Sequence, residues 1–225
     1  MTFAQTPKRI TIFAGHYGSG KTTLAANYAL ALKNNGFDTV VCDLDVVNPY
    51  FRTADYADLF ALNGIRLISS ELANTNVEAP SAPEGVKMIF DNKNIYGVID
   101  LGGDARGALA LGRYAGALAD AGDYGMLMVI NRCRPLTREP SALSALKDEI
   151  ESAAGILFTG IINNTNLAAG TTAEDIKNSA GFAAEVADIL GLPLTLTAVK
   201  AELADQFTEE NIFPVTVLSK KIWAV

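Results

Sequence analysis

Residues 15–23, GHYGSGKTT, decide how this sequence is interpreted. Gly15, Gly20, Lys21 and Thr22 fit the pattern G-x-x-x-x-G-K-[ST], in which backbone N–H groups of a glycine-rich loop surround phosphate oxygens. An apolar run typical of a buried strand precedes the loop, and a helical pattern follows it. The stretch therefore predicts a phosphate-binding loop between the first strand and the first helix of an α/β protein.

The residue types in this loop match the chemistry of a nucleoside triphosphate. Glycines permit backbone angles and close approach that side chains would block, and a helix that begins at Lys21 points its positive end at the phosphates. Lys21 supplies a point charge for the β- and γ-phosphates, and the Thr22 hydroxyl is a ligand for Mg²⁺. The residues expected to contact the nucleotide are Gly15, His16, Tyr17, Gly18, Ser19, Gly20, Lys21, Thr22 and Thr23.

Composition narrows the classes of protein that fit. The chain of 225 residues is long enough for a substantial core. Its formal net charge of −7 argues against non-specific binding of nucleic acid. No apolar run approaches the roughly 20 residues that cross a bilayer, and the N-terminal apolar segment is too short for a signal peptide, so we expect a cytoplasmic protein. The C-terminal stretch VLSKKIWAV is too short for an amphipathic anchor, so no stable membrane association is expected.

One local cluster of positive charge stands out in the segment NRCRPLTR, which contains Arg132, Arg134 and Arg138. The cluster fits a solvated surface loop. It also fits a patch that contacts phosphate or docks a partner. The sequence leaves both interpretations open.

Short, mostly apolar runs alternate with longer helical patterns along the chain. The runs are RITIFAG, TVVCDLD, IRLISS, YGVIDLG, YGMLMVIN, ILFTGIIN and PLTLTAV. Strands buried on both faces, as in a parallel sheet covered by helices, have this composition. The alternation predicts a single α/β domain over residues 1–225, doubly wound, with a mainly parallel sheet of about seven strands flanked by helices.

Helices are expected between these runs. The predicted ranges are 21–34, 53–62, 83–92, 105–119, 140–153 and 172–190, with a shorter helix near Glu202. Residues 69–83 form the longest predicted loop, rich in Pro, Asn, Thr and Ser. Long loops in compact domains are often functional, so this one is a candidate substrate or partner loop.

Four aspartates follow the second and the fourth predicted strands. Asp43 and Asp45 lie in CDLDVV, two positions apart, and would share one face of a regular strand. Asp100 and Asp104 lie in VIDLGGD. Ligands of open parallel sheets bind at the carboxyl ends of the strands, and carboxylates there suit metal binding and the orientation of an attacking water. We therefore expect all four near the triphosphate.

With these segments, the chain resembles the ParA/MinD/nitrogenase-iron-protein branch of the P-loop nucleoside triphosphatases (the SIMIBI class) over most of its length. The loop of that branch usually reads G-K-G-G-x-G-K-[ST], and its D-x-D-like switch I is similar to residues 43–45 here. The stretch DLGGD at 100–104 looks like the second switch of the iron protein. The stretch GIINNTN at 160–166 resembles the strand and loop that carry its nucleobase-contacting asparagine, which maps onto Asn164.

The resemblance implies roles at the metal. Thr22 and Asp43 would bind Mg²⁺ directly or through water, and Asp100 would hold it through a water. Asp45 or Asp104 would orient the attacking water.

The resemblance also implies where catalysis and base binding take place. Lys21 joins Asp45 and Asp104 in the expected catalytic set. The nucleobase would lie between Asn164 and the loop AVKAEL at 198–203. Neither INRC nor INNT carries the second carboxylate of the guanine-reading motif N-K-x-D, so ATP is favoured over GTP.

His16 departs from the pattern of the branch. A signature lysine falls at this position in the family and, in a face-to-face dimer, reaches the nucleotide of the partner. Histidine has a shorter reach and is only partly protonated near neutral pH. Either His16 only shapes the loop, or it contacts phosphate in cis or in trans. Formation of a nucleotide-dependent homodimer stays open.

Two functions fit these observations. The first is a Mg-ATP-binding switch ATPase of the ParA/MinD type that couples nucleotide state to an unidentified protein partner through the loops after Asp45 and Asp104. The alternative is a small-molecule kinase or ATP-dependent biosynthetic enzyme of the same fold. In that case Asn48, Tyr50 and Arg52 would bind the acceptor, because the guanidinium fork of Arg52 suits carboxylate or phosphate.

Overall fold

One sheet of eight strands forms the centre of the computed structural model, which describes residues 6–45, 53–69 and 85–218. The strands are β1 (Ile10–Ala14), β2 (Asp38–Leu44), β3 (Arg66–Ile68), β4 (Ile95–Leu101), β5 (Tyr124–Ile130), β6 (Gly160–Asn163), β7 (Leu194–Lys200) and β8 (Ile212–Val215). Their order is β3-β2-β4-β1-β5-β6-β7-β8, and each neighbouring pair is parallel. The predicted doubly wound α/β fold is therefore confirmed.

Strand β8 is the one strand beyond the seven runs of the sequence analysis. It contains the residues IFPV and pairs with β7, where Pro214 lies opposite Val199. Proline lacks a backbone N–H and is tolerated in a sheet mainly on an edge strand, which is the position of β8. The proline and the shortness of the run hid this strand from the sequence pattern.

Helices connect the strands and cover both faces of the sheet. They are α1 (Lys21–Asn34), α2 (Ala57–Leu62), α3 (Lys87–Asp91), α4 (Ala105–Gly112), α5 (Ala115–Ala121), α6 (Pro140–Ala154), α7 (Ala173–Lys177) and α8 (Ala180–Leu190). Short 3-10 turns at Thr53–Tyr56 and Ala201–Gln206 occupy the start of the helix predicted at 53–62 and the position of the helix predicted near Glu202.

Two of the predicted helices are each divided in two. The range 105–119 breaks after Gly112, whose backbone lies so close to α6 that an added Cβ would stand 2.7 Å from the Ala153 carbonyl oxygen. The range 172–190 breaks at Ser179, which is fully buried and whose hydroxyl bonds both the Ile176 carbonyl and the Asn163 side chain. Serine competes in this way with the backbone hydrogen bonds of a helix.

The strands are buried on both faces, as their composition predicts. In β1, Ile10 and Ile12 pack into the core beneath α3, α4, α5, α6 and α8, whereas Phe13 packs into the core beneath α1 and α2. Tyr28 of α1 is fully buried in the second core, with edge-to-face contacts to Phe13 and Phe213. Its hydroxyl shares a hydrogen bond with Thr11, which satisfies the polar end of the ring.

The strand order reverses direction at β1. The chain runs from β1 outward to β2 and β3, returns to β4 beside β1, and then continues to β5 on the other side of β1. The loops that follow these strands diverge there, and ligands of open α/β sheets bind in the crevice at such a point. Residues 15–20 lie directly after β1, so the fold places the phosphate loop in that crevice.

Helix α4 offers a matched test of the core. Leu111 is fully buried in the first core, whereas Leu109, two residues earlier, is 59% exposed. We expect Leu111→Ala to lower the free energy of unfolding by about 2–5 kcal/mol, because it leaves a cavity. We expect Leu109→Ala to change it by less than about 0.5 kcal/mol. Urea unfolding of the two variants measures this difference, and equal effects would contradict the described packing of α4.

Candidate functional site

The phosphate loop lies between β1 and α1, and two of its glycines are required by geometry. Gly15 has φ 138°, and a Cβ there would stand 2.5 Å from the carbonyl oxygen of Val129 in β5. Gly20 has φ 95°, and a Cβ there would overlap the side-chain nitrogen of Asn164. Both positions combine left-handed backbone with a close neighbour, so only glycine fits them. The loop is thereby pressed against the ends of β5 and β6.

Hydrogen bonds close the loop on itself. Ser19 N donates to the His16 carbonyl at 3.2 Å, and Lys21 Nζ donates to the same carbonyl at 3.3 Å. The ring nitrogen Nδ1 of His16 lies 3.0 Å from the Tyr17 carbonyl oxygen. The imidazole, which is half-buried, therefore bonds to its own loop. Tyr17 and Gly18 are the exposed residues of the stretch.

Lys21 is a buried cation at the base of the loop. It is 5% exposed, and burial lowers the pKa of its ammonium group, against the opposing influence of Asp100, Asp45 and Asp104, in that order. These three carboxylates are therefore near enough to influence the charge of Lys21. The structure thus brings the predicted catalytic set of Lys21, Asp45 and Asp104 to one place.

Asp100 is the most deeply placed carboxylate of the site. It is the second-last residue of β4 and lies beside Asp43 of β2, its partner in the strand register. It is fully buried, and its Oδ2 accepts hydrogen bonds from Thr22 Oγ1 at 2.7 Å and from Thr53 Oγ1 at 2.5 Å. Its Oδ1 has no partner among the described residues. Burial raises the pKa of Asp100 to about 6, against the lowering effects of Lys21 and the two hydroxyls.

The other two aspartates flank this centre. Asp45 is 5% exposed, and its backbone N–H donates to Asp43 Oδ1 at 3.0 Å. A Cβ on Gly102 would stand 3.3 Å from Asp45 Oδ1, so Asp45 lies against the loop that follows β4. Asp104 begins α4 as its N-cap, with Oδ1 accepting from the backbone N–H of Gly107 at 3.0 Å. The cap explains the position of Asp104, and its predicted role toward water stays a prediction.

The loop after β4 touches the phosphate loop directly. A Cβ on Gly103 would stand 2.7 Å from Tyr17 N. No side chain fits between the two loops at this point, so their backbones pack directly against each other.

A cavity of about 450 Å³ opens beside the loop. Its phosphate end is lined by Lys21, Thr22, Thr23 and Asp45, and its far end by residues that follow β6 and by the last residues of β7. The far-end lining includes Asn164, Thr165, Asn166, Ala168, Thr171, Ala198, Val199 and Lys200. Among the described residues that line the cavity, Asp45 is the one carboxylate. The cavity reaches Asn164 and residues 198–200, between which the family resemblance implies the nucleobase, and base binding there stays a prediction.

Asn164 has a structural bond in addition to its place in the cavity. Its Nδ2 donates to the Ser19 carbonyl at 2.7 Å, and this bond ties the end of β6 to the phosphate loop. Asn166 Nδ2 in turn donates to the Asn164 carbonyl at 2.7 Å. Asn131, fully buried after β5, accepts from Cys133 N and Asn166 N. Sequence reasoning missed Asn131 and Asn166, although Asn131 directly after β5 and Asn166 three residues after β6 were the available signal.

The three arginines of the positive cluster after β5 lie in different surroundings. Arg134 lines the cavity, and its Nε would be 3.7 Å from a Cβ placed on Gly18 of the phosphate loop. Arg132 Nη1 instead donates to the Asn178 carbonyl at 3.0 Å. Arg138 is exposed and does not line the cavity. Of the two interpretations that the sequence left open, contact with phosphate fits the position of Arg134.

Thr53 and Tyr56 are further residues of the site that the sequence did not predict. Thr53 is fully buried against Asp100, and Tyr56 lines the cavity. The sequence pattern offered only the start of a helix at this point. The acceptor candidates Asn48, Tyr50 and Arg52 lie outside the described residues, as does nearly all of the loop predicted at 69–83.

The donor set is suitable for Mg²⁺. Thr22 and Asp100 offer a hydroxyl and a carboxylate, which are the hard oxygen ligands that Mg²⁺ prefers, and Asp100 Oδ1 is a buried acceptor that no described residue contacts by a hydrogen bond. Within residues 6–45, 53–69 and 85–218, no group of three or more His, Cys, Asp or Glu could hold a metal. Mg²⁺ usually takes only one or two carboxylates together with substrate phosphates and water, so the residues fit it.

The fold and the loop define the class of protein as a P-loop nucleotide-binding protein. A family model described as the CobQ/CobB/MinD/ParA nucleotide binding domain, CbiA, matches residues 10–176. That span is most of the chain, and the chain belongs to this family. The resemblance to the ParA/MinD branch is thereby confirmed. None of the curated proteins matches the chain.

Solved structures support the same fold. The signal recognition particle 54 kDa protein from Aeropyrum pernix K1, in complex with GDP, has a TM-score of 0.55 at 17% identity, over 87% of this chain and 42% of that one. FtsY from Mycoplasma mycoides has a TM-score of 0.56 at 18% identity, over 87% and 62%. The cell division protein FtsY from Thermotoga maritima has a TM-score of 0.57 at 20% identity, over 86% and 62%. This chain therefore spans less than two thirds of each, and the likeness concerns the fold alone.

The helices also bear on membrane contact. Each helix in the part of the chain that the structure describes is too short or too polar to cross a bilayer. Most of the C-terminal stretch VLSKKIWAV lies outside the described residues, so the expectation about membrane association stays a prediction.

The raised pKa of Asp100 makes a pH prediction for the metal-free protein. A carboxyl whose pKa is higher in the folded state than its ordinary 3.8 contributes stability that is complete below pH 3.8 and is lost as pH rises through about 6. Asp100→Asn removes this titration and keeps the shape of the side chain. We expect the wild type to lose stability relative to Asp100→Asn as pH rises from about 4 to about 7. Urea unfolding in a chelator measures the difference, and a difference that does not change with pH would contradict the assignment.

Proposed function

We propose that this protein is a Mg-ATP-dependent switch ATPase that couples the state of its nucleotide to a protein partner. The observation that carries the proposal is the hydrogen-bonded pair of Thr22 and Asp100 beside the buried Lys21, at the phosphate end of a cavity of about 450 Å³. A cation, a hydroxyl and a carboxylate in this arrangement suit phosphoryl chemistry, in which catalysis is mainly positioning and charge stabilisation.

Each residue has a role in this proposal. Backbone N–H groups of residues 15–20 and the N-terminus of α1 hold the phosphates, and Lys21 neutralises charge on the β- and γ-phosphates. Thr22, Asp43 and Asp100 hold the metal, directly or through water. Mg²⁺, when bound, neutralises charge that develops on the phosphates. Asp45 or Asp104 orients the attacking water, for which the burial of Asp45 beside Gly102 is the supporting observation.

ATP is the proposed nucleotide. The base lies at the far end of the cavity, between residues 164–166 and Val199, with Asn164 at its border. Guanine presents N–H donors that a carboxylate would recognise, whereas the described far-end lining offers amides, hydroxyls, apolar side chains and Lys200. Lys200 Nζ bonds the Ala169 carbonyl at 3.2 Å and Glu202 at 2.7 Å, which joins the two loops around the base.

The switch is proposed to act through the loops after Asp45 and after Asp100. The contact of Gly103 with Tyr17 supports this, since the loop after β4 lies on the phosphate loop. The bond of His16 with Tyr17 supports a role for His16 in shaping the loop. A nucleotide-dependent homodimer and a cytoplasmic location remain predictions that accompany this proposal.

A phosphate-release assay tests the function. We expect wild-type protein with Mg-ATP to release inorganic phosphate, and to prefer ATP over GTP. Lys21→Ala should weaken ATP binding by about 10–100-fold, because a charge-assisted contact is lost. Asp45→Asn should lower the rate by about a hundredfold or more with binding retained. Phosphate transfer to a small molecule without release of inorganic phosphate would contradict the switch and favour the kinase alternative.

Arg134 allows a separate prediction with a matched control. If it contacts phosphate, Arg134→Ala should weaken ATP binding on the order of tenfold and leave adenosine binding unchanged. Arg138→Ala, in the same segment but outside the cavity, should leave both unchanged. Calorimetric titration of both variants measures the effect. Equal affinities of the two variants for ATP would assign Arg134 to the solvated surface.

A further inference from the structure

The side-chain hydroxyl of Thr53 forms a hydrogen bond with Asp100, a residue far from it in sequence. It is fully buried, and its hydroxyl donates to Asp100 Oδ2, the oxygen that also accepts from Thr22. A buried threonine can satisfy its hydroxyl locally, as Thr39 does on the Phe37 carbonyl. Thr53 instead reaches a carboxylate of β4 that is distant in sequence. The Thr53 hydroxyl is therefore part of the hydrogen bonding of the candidate site.

Two donors on one oxygen restrict the Asp100 carboxylate. The bonds of Thr22 and Thr53 fix its rotation about the Cβ–Cγ axis, because both end on Oδ2. Oδ1 is then the oxygen left to accept from the water shell of a metal, and it has no other partner among the described residues. Groups that orient a metal-associated carboxylate in this way tune metal affinity.

The residues that follow Thr53 contact other parts of the protein besides Asp100. Thr53 begins the 3-10 turn Thr53–Tyr56, which packs against α1 and β2 and leads into α2. The Tyr56 hydroxyl donates to the Leu218 carbonyl at 3.2 Å, while the packing of the turn against α1 joins it to the helix of the phosphate loop. Residues 53–62 are therefore held at three points: the metal-site carboxylate, the helix of the phosphate loop and the chain after β8.

We propose, on the basis of the function proposed above, that Thr53 is a positioning residue that links the metal site to residues 53–62. Its hydroxyl orients Asp100 for the metal, and the same bond docks this segment onto the site. Binding and docking linked by one bond must strengthen each other by the same factor. Residues 53–62 are then more stably docked when metal and nucleotide are bound than when the site is empty.

Thr53→Val tests this inference, because it keeps the shape of the side chain and removes the hydroxyl. With the non-hydrolysable analogue AMPPNP present, we expect its Mn²⁺ affinity, measured by electron paramagnetic resonance, to fall about tenfold or more. We also expect hydrogen exchange of residues 53–62 to lose the protection that Mn²⁺ and AMPPNP give the wild type. Thr53→Ser should restore both properties, and Thr39→Val, a buried threonine at the other end of β2 from the site, should change neither.

The outcomes separate this inference from the proposed function. A Thr53→Val protein with wild-type Mn²⁺ affinity and wild-type protection would overturn the role of Thr53 and leave the nucleotide site intact. Wild-type protein that binds neither AMPPNP nor Mn²⁺ would overturn the proposed function itself. Circular dichroism checks the fold of the variant, and Thr53→Ala, compared with Thr53→Ser, gives the same test if the valine variant does not fold.

Discussion

The constraint on which this structure depends is the burial of opposite charges within range of one another's electrostatic influence at the end of a parallel sheet. Lys21 is 5% exposed and Asp100 is fully buried. Burial lowers the pKa of the lysine and raises the pKa of the aspartate, so each charge is costly where it lies. Two hydroxyls donate hydrogen bonds to Asp100 and one backbone carbonyl accepts from Lys21, which offsets part of the cost of burying the two charges. A phosphate group near Lys21 and a divalent cation near Asp100 would offset the remaining cost, and these buried charges therefore indicate a ligand site.

The fold brings the charged residues and the phosphate loop together at one end of the sheet. Parallel strands buried on both faces bring the ends of β1, β2 and β4 together, and the strand register sets Asp43 beside Asp100. Gly15 and Gly20 let the loop after β1 pass close to β5 and β6. The amide of Asn164 then fastens that loop from the far side. The site is thus held by backbone contact and side-chain amides, and the same contacts join it to the loop after β4.

Much of this arrangement could be predicted from the sequence, and the exceptions have physical causes. The motif of residues 15–23 and the alternating runs predict the fold, because local chemistry and periodicity determine them. Strand β8 was not predicted because its run is short and contains Pro214, and the helix breaks at Gly112 and Ser179 depend on tertiary neighbours. The position of Thr53 depends on a contact between segments distant in sequence, for which a single sequence carries no local signal. The sequence indicates the arginine cluster after β5, but which of its arginines lines the cavity depends on the tertiary structure.

The central claim is that the buried charges of the site recognise phosphate and metal together. Calorimetric titration with ATP, ADP and adenosine, each with and without Mg²⁺, tests it most directly. Because phosphate and metal each satisfy charges buried in the protein, affinity should rise from adenosine to ADP to ATP, and Mg²⁺ should increase the affinity for ATP. Adenosine binding as tightly as ATP, or ATP binding that does not respond to Mg²⁺, would contradict the account.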